Sequence, residues 1–251
     1  MTIRSLPTAV ILILSLACSY GQVVSIPHSH NDYEHTQPLM EAITAGFRSV
    51  EADVHLKYGK LLVGHNAVNR RSPELSRLYL IPLNELFKQG ILTEKDQPFY
   101  LMIDLKTDGE KTLTALEEEL KRFPDWLNLN SPVRIVLSGN VPKQQMLSEE
   151  FRGIRIDGRP DDVGRNISAD RMPWVSDRFS NWGAADGNGD ISTASLEKIS
   201  ALAMRVHAEG KLLRLWATPD HPTAWKQLQQ AGVDLLNTDR LTEMRKFLTG
   251  N

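Results

Sequence analysis

The chain has 251 residues, of which 24% are charged and 41% are hydrophobic, and its formal net charge is −2. This is the composition of an ordinary globular protein, and one domain is the default at this length. The charge balance argues against a general nucleic-acid-binding protein, which usually carries a basic excess, but it is compatible with a small anionic ligand held by a few cations.

The first residues have the pattern of a secretory signal peptide. Arg4 precedes an apolar run over residues 6–17, and small residues stand at the −3 and −1 positions of a cleavage site after Gly21. The run is short for a membrane-spanning helix, and no later stretch approaches that length. We therefore expect residues 1–21 to direct export to the periplasm or the medium, and residues 22–251 to form the mature domain without a transmembrane segment.

Cys18 is the only cysteine in the sequence, and it lies inside the signal segment. Acylation of Cys18, as in a lipoprotein, is the alternative to simple cleavage, although Ser15 stands where a leucine is usual. After cleavage at Gly21 the chain has no thiol. A disulfide, a thiolate metal site and a cysteine nucleophile are then excluded.

Short strand-like runs alternate with helical runs along the rest of the chain. Apolar runs predict strands, in chain order, at residues 23–26, 49–56, 61–64, 99–106, 133–138, 154–157, 174–176, 212–216 and 233–237. Apolar residues three and four apart predict helices at residues 38–45, 82–88, 113–123, 196–206, 225–231 and 241–248. About eight strand–helix units in about 230 residues favour a single (β/α)8 TIM barrel, with a doubly wound open sheet as the alternative.

The interior of this barrel is expected to carry acids and cations near the C-terminal ends of its strands, where barrel enzymes place their active sites. Because side chains alternate across a strand, Glu51 and Asp53 point inward while the apolar residues between them face the helices. The same alternation turns a further set of side chains inward: Asp104, Lys106, Arg155, Asp157, Arg159, Arg214 and Trp216.

Three of these acids form a candidate metal site. The carboxylates of Glu51, Asp53 and Asp104 are hard oxygen ligands, which suit Mg²⁺ or Ca²⁺ better than zinc. Without a cation, three converging carboxylates would repel one another, and some would take up protons. The alternative is a set of structural salt bridges with Lys106 and the arginines.

Two histidine segments flank these acids, one at His28-Ser-His30 and the other at Gly64-His65. Two histidines on opposite sides of a scissile bond could act as base and acid near neutral pH. We interpret the other four histidines as structural: His35, His55, His207 and His221.

The order of these motifs resembles that of the PLC-like phosphodiesterase superfamily, which includes glycerophosphodiester phosphodiesterases and phosphatidylinositol phospholipase C. The matching features, in chain order, are His30, Gly46, Glu51-Ala-Asp53, Gly64-His65, Asp104-Leu-Lys106, Trp216 and residues 232–239. Within the superfamily the sequence most resembles the branch of altered inheritance of mitochondria protein 6, at residues 29–33, 49–53, 173–176 and 213–220. The resemblance extends over the whole mature chain.

The resemblance implies a barrel that hydrolyses a small anionic phosphodiester or a lipid headgroup with a divalent cation, Mg²⁺ or Ca²⁺. The reaction that it implies is attack by a neighbouring substrate hydroxyl on phosphorus through a cyclic intermediate. It assigns the metal to Glu51, Asp53 and Asp104, acid–base catalysis to His30 and His65, and substrate contacts to Lys106, Arg159 and Trp216.

Two positions depart from the superfamily pattern. Asn31 stands where an arginine usually follows the first histidine, and this change removes a bidentate phosphate contact. Arg159 and Arg214 are the candidates for the missing cation. Asp104 is the third metal ligand where glutamate is usual.

Two other functions compete with this interpretation. His28-Ser-His30 also fits the His-x-His motif of metal-dependent amidohydrolases, but the predicted strands at 133–138, 154–157 and 212–216 contain no further histidine to complete such a site. The second competitor is a non-catalytic barrel that binds a phosphorylated ligand. The sequence does not fix the oligomeric state.

The segment from Asp186 to Glu197 follows the ligand spacing of an EF-hand calcium loop, but Ile191 occupies the position that requires glycine. The alternative is a polar turn in which Ser192 or Thr193 caps the next helix. We favour the helix cap.

Overall fold

The computed structural model describes residues 25–92 and 98–250. The expected signal peptide at residues 1–21, with Cys18, lies outside the described residues, and the predictions of export, cleavage and acylation stay predictions.

In the described part of the chain, nine strands form one sheet, and eight of them run parallel around a closed barrel. The strands are β1 Ile26–Ser29, β2 Ser49–Lys57, β3 Lys60–Val63, β4 Phe99–Leu105, β5 Val133–Gly139, β6 Ile154–Gly158, β7 Trp174–Arg178, β8 Leu212–Trp216 and β9 Leu235–Thr238. β3 is the antiparallel hairpin partner of β2 and lies outside the ring.

The helices lie between the strands, as a (β/α)8 barrel requires. They are α1 Met40–Thr44, α2 Ile81–Lys88, α3 Gly109–Leu120, α4 Lys143–Ser148, α5 Thr193–His207, α6 Pro222–Gln230 and α7 Leu241–Thr249. A π-helical turn at Ser76–Leu80 leads into α2, and 3-10 turns lie at Asp32–Glu34, Pro124–Trp126, Pro160–Asp162 and Phe179–Asn181. Within the described ranges, no helix has the length and apolar character to cross a membrane.

The closed barrel confirms the predicted fold class, and the doubly wound alternative is wrong. An open sheet has two edge strands, whereas β1 pairs with β2 on one side and with β9 on the other. Helix α4 was not predicted from the sequence. None of its residues is fully buried, and Met146 alone packs against the core, so its apolar face is too narrow for a pattern to show.

The alternation predicted for the strands is also confirmed. Val50, Ala52 and Val54 pack against the helices in the outer apolar core. A smaller inner core fills the lower part of the barrel with Tyr100, Met102, Val136, Trp174 and Leu235. The inward residues that follow these on their strands are polar, so the candidate site lies above an apolar floor.

The first strand is placed differently from the prediction. A strand was expected at residues 23–26, but β1 runs from Ile26 to Ser29. Its polar residues His28 and Ser29 are fully buried and pair with both neighbouring strands. Pairing on both sides overrides the local preference that a run of Pro, His and Ser would have alone.

The segment before α5 is a helix cap, as we favoured. Ser192 Oγ accepts a hydrogen bond from the Ser195 amide. Asp186 Oδ1 accepts hydrogen bonds from the amides of Asn188 and Asp190, so this carboxylate closes its own turn.

Candidate active site

Two neighbouring strands bring the three predicted acids together. Asp53 on β2 is the direct register partner of Asp104 on β4, and Glu51 precedes Asp53 on the same face. One oxygen of each carboxylate lies within 4.8 Å of the others. This spacing suits a single divalent cation held by three oxygen ligands.

The environment of these carboxylates fits such a cation. Asp53 Oδ1 and Asp104 Oδ1 are buried and accept no hydrogen bond from any described residue. Burial raises the pKa of Asp53, Lys106 opposes that rise, and the neighbouring Asp104 and Glu51 add to it. Buried carboxylate oxygens without partners are costly, and a cation among the three acids would compensate them.

Salt bridges to the same acids are also present. Lys106 Nζ lies 2.8 Å from Asp104 Oδ2 and 3.2 Å from Asp53 Oδ2. Arg214 Nη2 donates to Glu51 Oε2 at 2.9 Å. Both interpretations of the acid cluster therefore describe part of the site: each acid shares one oxygen with a cation, and two of them keep an unpartnered buried oxygen.

His28 supports Glu51 from below. Its Nε2 lies 3.4 Å from Glu51 Oε2, and its Nδ1 lies 2.7 Å from Ser49 Oγ. Burial, followed by the charge of Arg214, lowers the pKa of His28 to about 4. Burial alone would raise the pKa of Glu51, but Arg214 and His28 bring it down to about 2. Glu51 is therefore ionised and His28 neutral at neutral pH.

His30 follows β1 at the C-terminal end of the barrel. Its Nδ1 lies 2.8 Å from Asp239 Oδ1. Asp239 directly follows β9, the strand that pairs with β1. This hydrogen bond raises the pKa of His30, although burial partly opposes it. The contact orients the ring through Nδ1.

His65 lies in the loop that follows β3. Its side chain is 54% exposed, and its Nδ1 lies 3.0 Å from Asp53 Oδ2. The Tyr33 hydroxyl lies 3.4 Å from the same nitrogen and donates to Asn31 Oδ1 at 3.0 Å. His65 thus contacts the acid cluster directly, whereas His30 contacts Asp239 and is influenced by the charge of Glu51.

The two arginines proposed to replace the cation missing at position 31 have different surroundings. Arg214 is enclosed, and it also donates to Asn237 Oδ1 at 3.1 Å. Arg159 donates to Asp157 Oδ2 at 2.7 Å and to Ser138 Oγ at 3.2 Å, but its side chain remains 40% exposed. Arg159 is the more accessible of the two to a ligand.

The remaining predicted substrate contacts lie at the same end of the barrel. Lys106 is half-buried next to Asp53 and Asp104. Trp216 ends β8 and is partly exposed, with the guanidinium of Arg178 5.2 Å from its ring centroid. Trp216 therefore offers a flat apolar surface at the rim.

Sequence reasoning missed several residues of this site. Asp239 was not assigned a role, although it comes two residues after the strand predicted at 233–237, and this position near a strand end is a signal that could have found it. Asn237 Nδ2 is buried without a partner among the described residues. These two residues, with His30 and Asp220, line a pocket of about 110 Å³ at the ends of β1, β8 and β9.

The other predicted histidine roles agree with the structure. Three of the four histidines interpreted as structural form hydrogen bonds within the fold: His55 with the Gly64 carbonyl, His207 with Asp234, and His221 with the Thr223 amide. The fourth, His35, lies 3.9 Å from Glu41, a distance of charge contact only. The cluster of potential metal ligands found in the described chain contains no histidine. The His-x-His interpretation therefore gains no support.

The sequence matches two family models at the positions of this site. Residues 20–156 match the AIM6-like phosphodiesterase domain, and this stretch contains both candidate histidines and all three acids. Residues 213–242 match the Glycerophosphoryl diester phosphodiesterase family, and this stretch contains Trp216 and Asp239.

Individual relatives agree with these matches. Altered inheritance of mitochondria protein 6 of Eremothecium gossypii is 29% identical over 90% of this chain and 70% of its own length. A homolog of that protein from Arthroderma benhamiae is also 29% identical, over 90% of this chain and 84% of its own length. The crystal structure of glycerophosphodiester phosphodiesterase from Agrobacterium tumefaciens has the same fold, with a TM-score of 0.55 at 14% identity over 88% of this chain and 99% of that chain.

Proposed function

Because the chain belongs to the family of the AIM6-like phosphodiesterase domain, we propose that it is a metal-dependent phosphoric diester hydrolase. The observation that carries the proposal is the convergence of Glu51, Asp53 and Asp104, two of them with an unpartnered buried oxygen. The proposed cofactor is Mg²⁺ or Ca²⁺, and the proposed substrates are glycerophosphodiesters or phosphoinositide-like headgroups. The named relatives support the class of reaction and not a particular substrate.

The three acids would hold the cation, which when bound supplies a positive charge against the charge that develops on the phosphate. Glu51 is suited to this role because Arg214 and His28 keep its pKa low and its carboxylate ionised. Lys106 stands beside the other two acids. It would contribute a second positive charge near the phosphate.

His30 and His65 would move the protons. An attacking hydroxyl must lose a proton and the departing alcohol must gain one, so the reaction needs one base and one acid. Each ring is held through Nδ1 by a carboxylate, His30 by Asp239 and His65 by Asp53. Each ring would therefore present Nε2 to the substrate.

Arg159 and Trp216 would bind the substrate at the rim. Arg159 keeps an exposed face and is fixed in place by Asp157. It would take over the phosphate contact that Asn31 does not provide. Trp216 would pack against the alcohol portion of the substrate.

A second candidate function is a barrel that binds a phosphorylated ligand without turnover. One observation favours it: Asn31 occupies the position of the usual arginine, and its side chain is engaged by the Tyr33 hydroxyl.

The test is turnover of a phosphodiester panel by the purified protein with EDTA, Mg²⁺ or Ca²⁺. We expect EDTA to abolish turnover, and added metal to raise the melting temperature by mass action. Glu51→Gln and Asp53→Asn should lose this metal-induced shift. If EDTA-treated, metal-free protein hydrolysed the phosphodiesters as fast as untreated protein, the mechanism would be wrong. Ligand-induced stabilisation without turnover would support the second function.

The histidines provide the second arm of this test. His30→Ala and His65→Ala should each lower kcat by ~10²–10⁴-fold with folding intact, since each removes one proton transfer. The matched control is His207→Gln, because His207 bonds to Asp234 at the opposite end of the barrel. Wild-type kcat in both alanine variants would reject the acid–base assignment.

A further inference from the structure

The hairpin of β2 and β3, with the loop that follows it, carries a strong local charge. Residues 57–77 contain five basic side chains and one acid, a net charge of +4 in a chain whose net charge is −2. The five basic residues are all exposed: Lys57, Lys60, Arg70, Arg71 and Arg77. We refer to them, together with Tyr58, as the basic surface.

The basic surface lies at the same end of the barrel as the candidate active site. β2 continues four residues beyond Asp53 before it ends at Lys57, which is about 13 Å at the rise of a strand. The loop that carries Arg70 and Arg71 also carries His65, whose ring contacts Asp53. A flat partner that meets the hairpin tip would therefore face the acid cluster.

The hairpin tip contains contacts between its aromatic ring and two of its cations. The Arg70 guanidinium lies 4.3 Å from the ring centroid of Tyr58, and Lys57 Nζ lies 5.3 Å from it. Lys57 Nζ also donates to the Val68 carbonyl at 2.9 Å, which ties the tip to the loop. These contacts place the cations in advance and lower the entropy cost of binding.

Tyr58 is an unusual residue for this turn. Its φ is 55°, a backbone conformation that normally favours glycine or asparagine. Its side chain contributes little to the core, because the residue is 45% exposed. An exposed aromatic ring between two cations suits the headgroup region of a bilayer, where tyrosine is enriched.

We propose that the basic surface docks the C-terminal end of the barrel onto an anionic phospholipid membrane. Clusters of lysine and arginine bind anionic lipids through charge attraction that extends about one Debye length. The remainder of the chain carries a net negative charge, which would orient the hairpin toward such a surface. A nucleic acid is less favoured, because the tip presents one aromatic ring and not a track of stacking residues.

The test is co-sedimentation with vesicles of phosphatidylcholine alone and of phosphatidylcholine mixed with phosphatidylserine. We expect binding to the mixed vesicles only, with a loss of binding at high salt. Arg70→Gln with Arg71→Gln should weaken the partition coefficient about 30-fold, since each cation near an anionic leaflet contributes about fivefold. The control Lys88→Gln with Lys121→Gln removes the same charge from side chains that are 65% and 67% exposed on the outer helices, and should bind as wild type.

Tyr58→Gly separates a role in docking from a role in folding. It removes the ring and relieves the positive φ, so it should weaken vesicle binding without lowering the melting temperature. The Arg70/Arg71 variant should hydrolyse a water-soluble phosphodiester at the wild-type rate. Vesicle binding needs no turnover, and a failure of this proposal is thus distinct from a failure of the proposed activity.

Three results would overturn the proposal. The first is equal binding of the wild-type protein to neutral and anionic vesicles. The second is an equal loss of binding in the arginine variant and the lysine control. The third is binding to a single-stranded oligonucleotide that is tighter than binding to the mixed vesicles at matched negative charge and ionic strength, which would identify a nucleic-acid surface.

Discussion

His28 lies on β1 and His30 directly follows that strand, and the two rings have opposite electrostatic environments. His28 is fully enclosed between Ser49, Glu51 and Arg214, and its pKa falls to about 4 because burial disfavours its charged form. His30 lies one layer higher, and Asp239 raises its pKa. Burial thus lowers the pKa of His28, whereas contact with a carboxylate raises the pKa of His30.

Asp239→Asn tests this assignment directly. The hydrogen bond that Asp239 accepts from His30 is the largest cause of the raised pKa of His30, so weakening this bond should lower that pKa. The measurement is the NMR titration midpoint of the His30 ring. The control is Asp161→Asn, which removes an exposed carboxylate elsewhere on the barrel and should leave the midpoint unchanged. An unchanged midpoint in Asp239→Asn would show that the contact does not affect the pKa of His30.

The same substitution has a consequence for stability as a function of pH. A histidine whose pKa is higher in the folded than in the unfolded state stabilises the fold below its unfolded pKa, here 6.5. That stability is lost as pH rises through the folded pKa. Urea midpoints of wild-type and Asp239→Asn protein should therefore differ most below pH 6.5 and converge at alkaline pH.

At the level of elements, the end of β5 makes room for the metal ligand on β4. Gly139 has a φ of 73°, and a Cβ on it would lie 1.9 Å from Asp104 Oδ1 and 2.6 Å from the Leu105 carbonyl. β4 and β5 end at the same level, so the Asp104 carboxylate lies where the side chain of a larger residue at position 139 would be. The last residue of β5 thus positions Asp104 without being a ligand.

Gly139→Ala should displace the Asp104 carboxylate and abolish the metal-induced rise in melting temperature. Gly210→Ala is the matched control, since Gly210 has a φ of 68° and nothing within 4 Å of its added Cβ. In both variants the free energy of unfolding should fall by at least about 1 kcal/mol, because alanine is strained at a positive φ. Only the Gly139 variant should lose the response to Mg²⁺ or Ca²⁺, and an unchanged response would show that Asp104 is not a ligand.

At the scale of the whole molecule, the candidate site lies at one end of the barrel, and a buried arginine that stabilises the fold lies at the other. Arg155 was predicted to point inward, and it does so, but at the end opposite the acids. It is 1% exposed and donates to the Gly153 and Leu129 carbonyls at 2.9 Å each. Burial, together with Arg134, lowers its pKa to about 10, so it stays charged at neutral pH.

Arg155→Ala should lower the free energy of unfolding by about 3 kcal/mol, because it leaves two carbonyls unpaired and opens a cavity. Arg152→Ala is the control: its side chain is 60% exposed and meets Glu117 and Glu149 only at 3.7 and 3.8 Å. We expect it to cost below about 0.5 kcal/mol. Neither variant should alter the metal-induced shift, and a loss of that shift in Arg155→Ala would couple the two ends.

The fold could be predicted because strands and helices alternate along the chain. The acid cluster could be predicted because side chains alternate between the two faces of a strand. A period of two along β2 and β4 was sufficient to direct Glu51, Asp53 and Asp104 into one barrel. The pairing of His30 with Asp239 depends on which strand lies next to β1, and local pattern does not contain that information. The role of Gly139 depends on a contact between strands, which is equally absent from periodicity.

The pairing of β9 with β1 also determines how late in synthesis the candidate site can form. Translation proceeds from the amino terminus, so His30 and Glu51 leave the ribosome long before their partners Asp239 and Arg214, which follow by 209 and 163 residues. Until β9 emerges, the ring has an open seam, and the late arrival of these contacts delays folding of the nascent chain. If residues 1–21 direct export, as the sequence predicts, this order would keep the chain unfolded while it is still being synthesised and crosses the membrane.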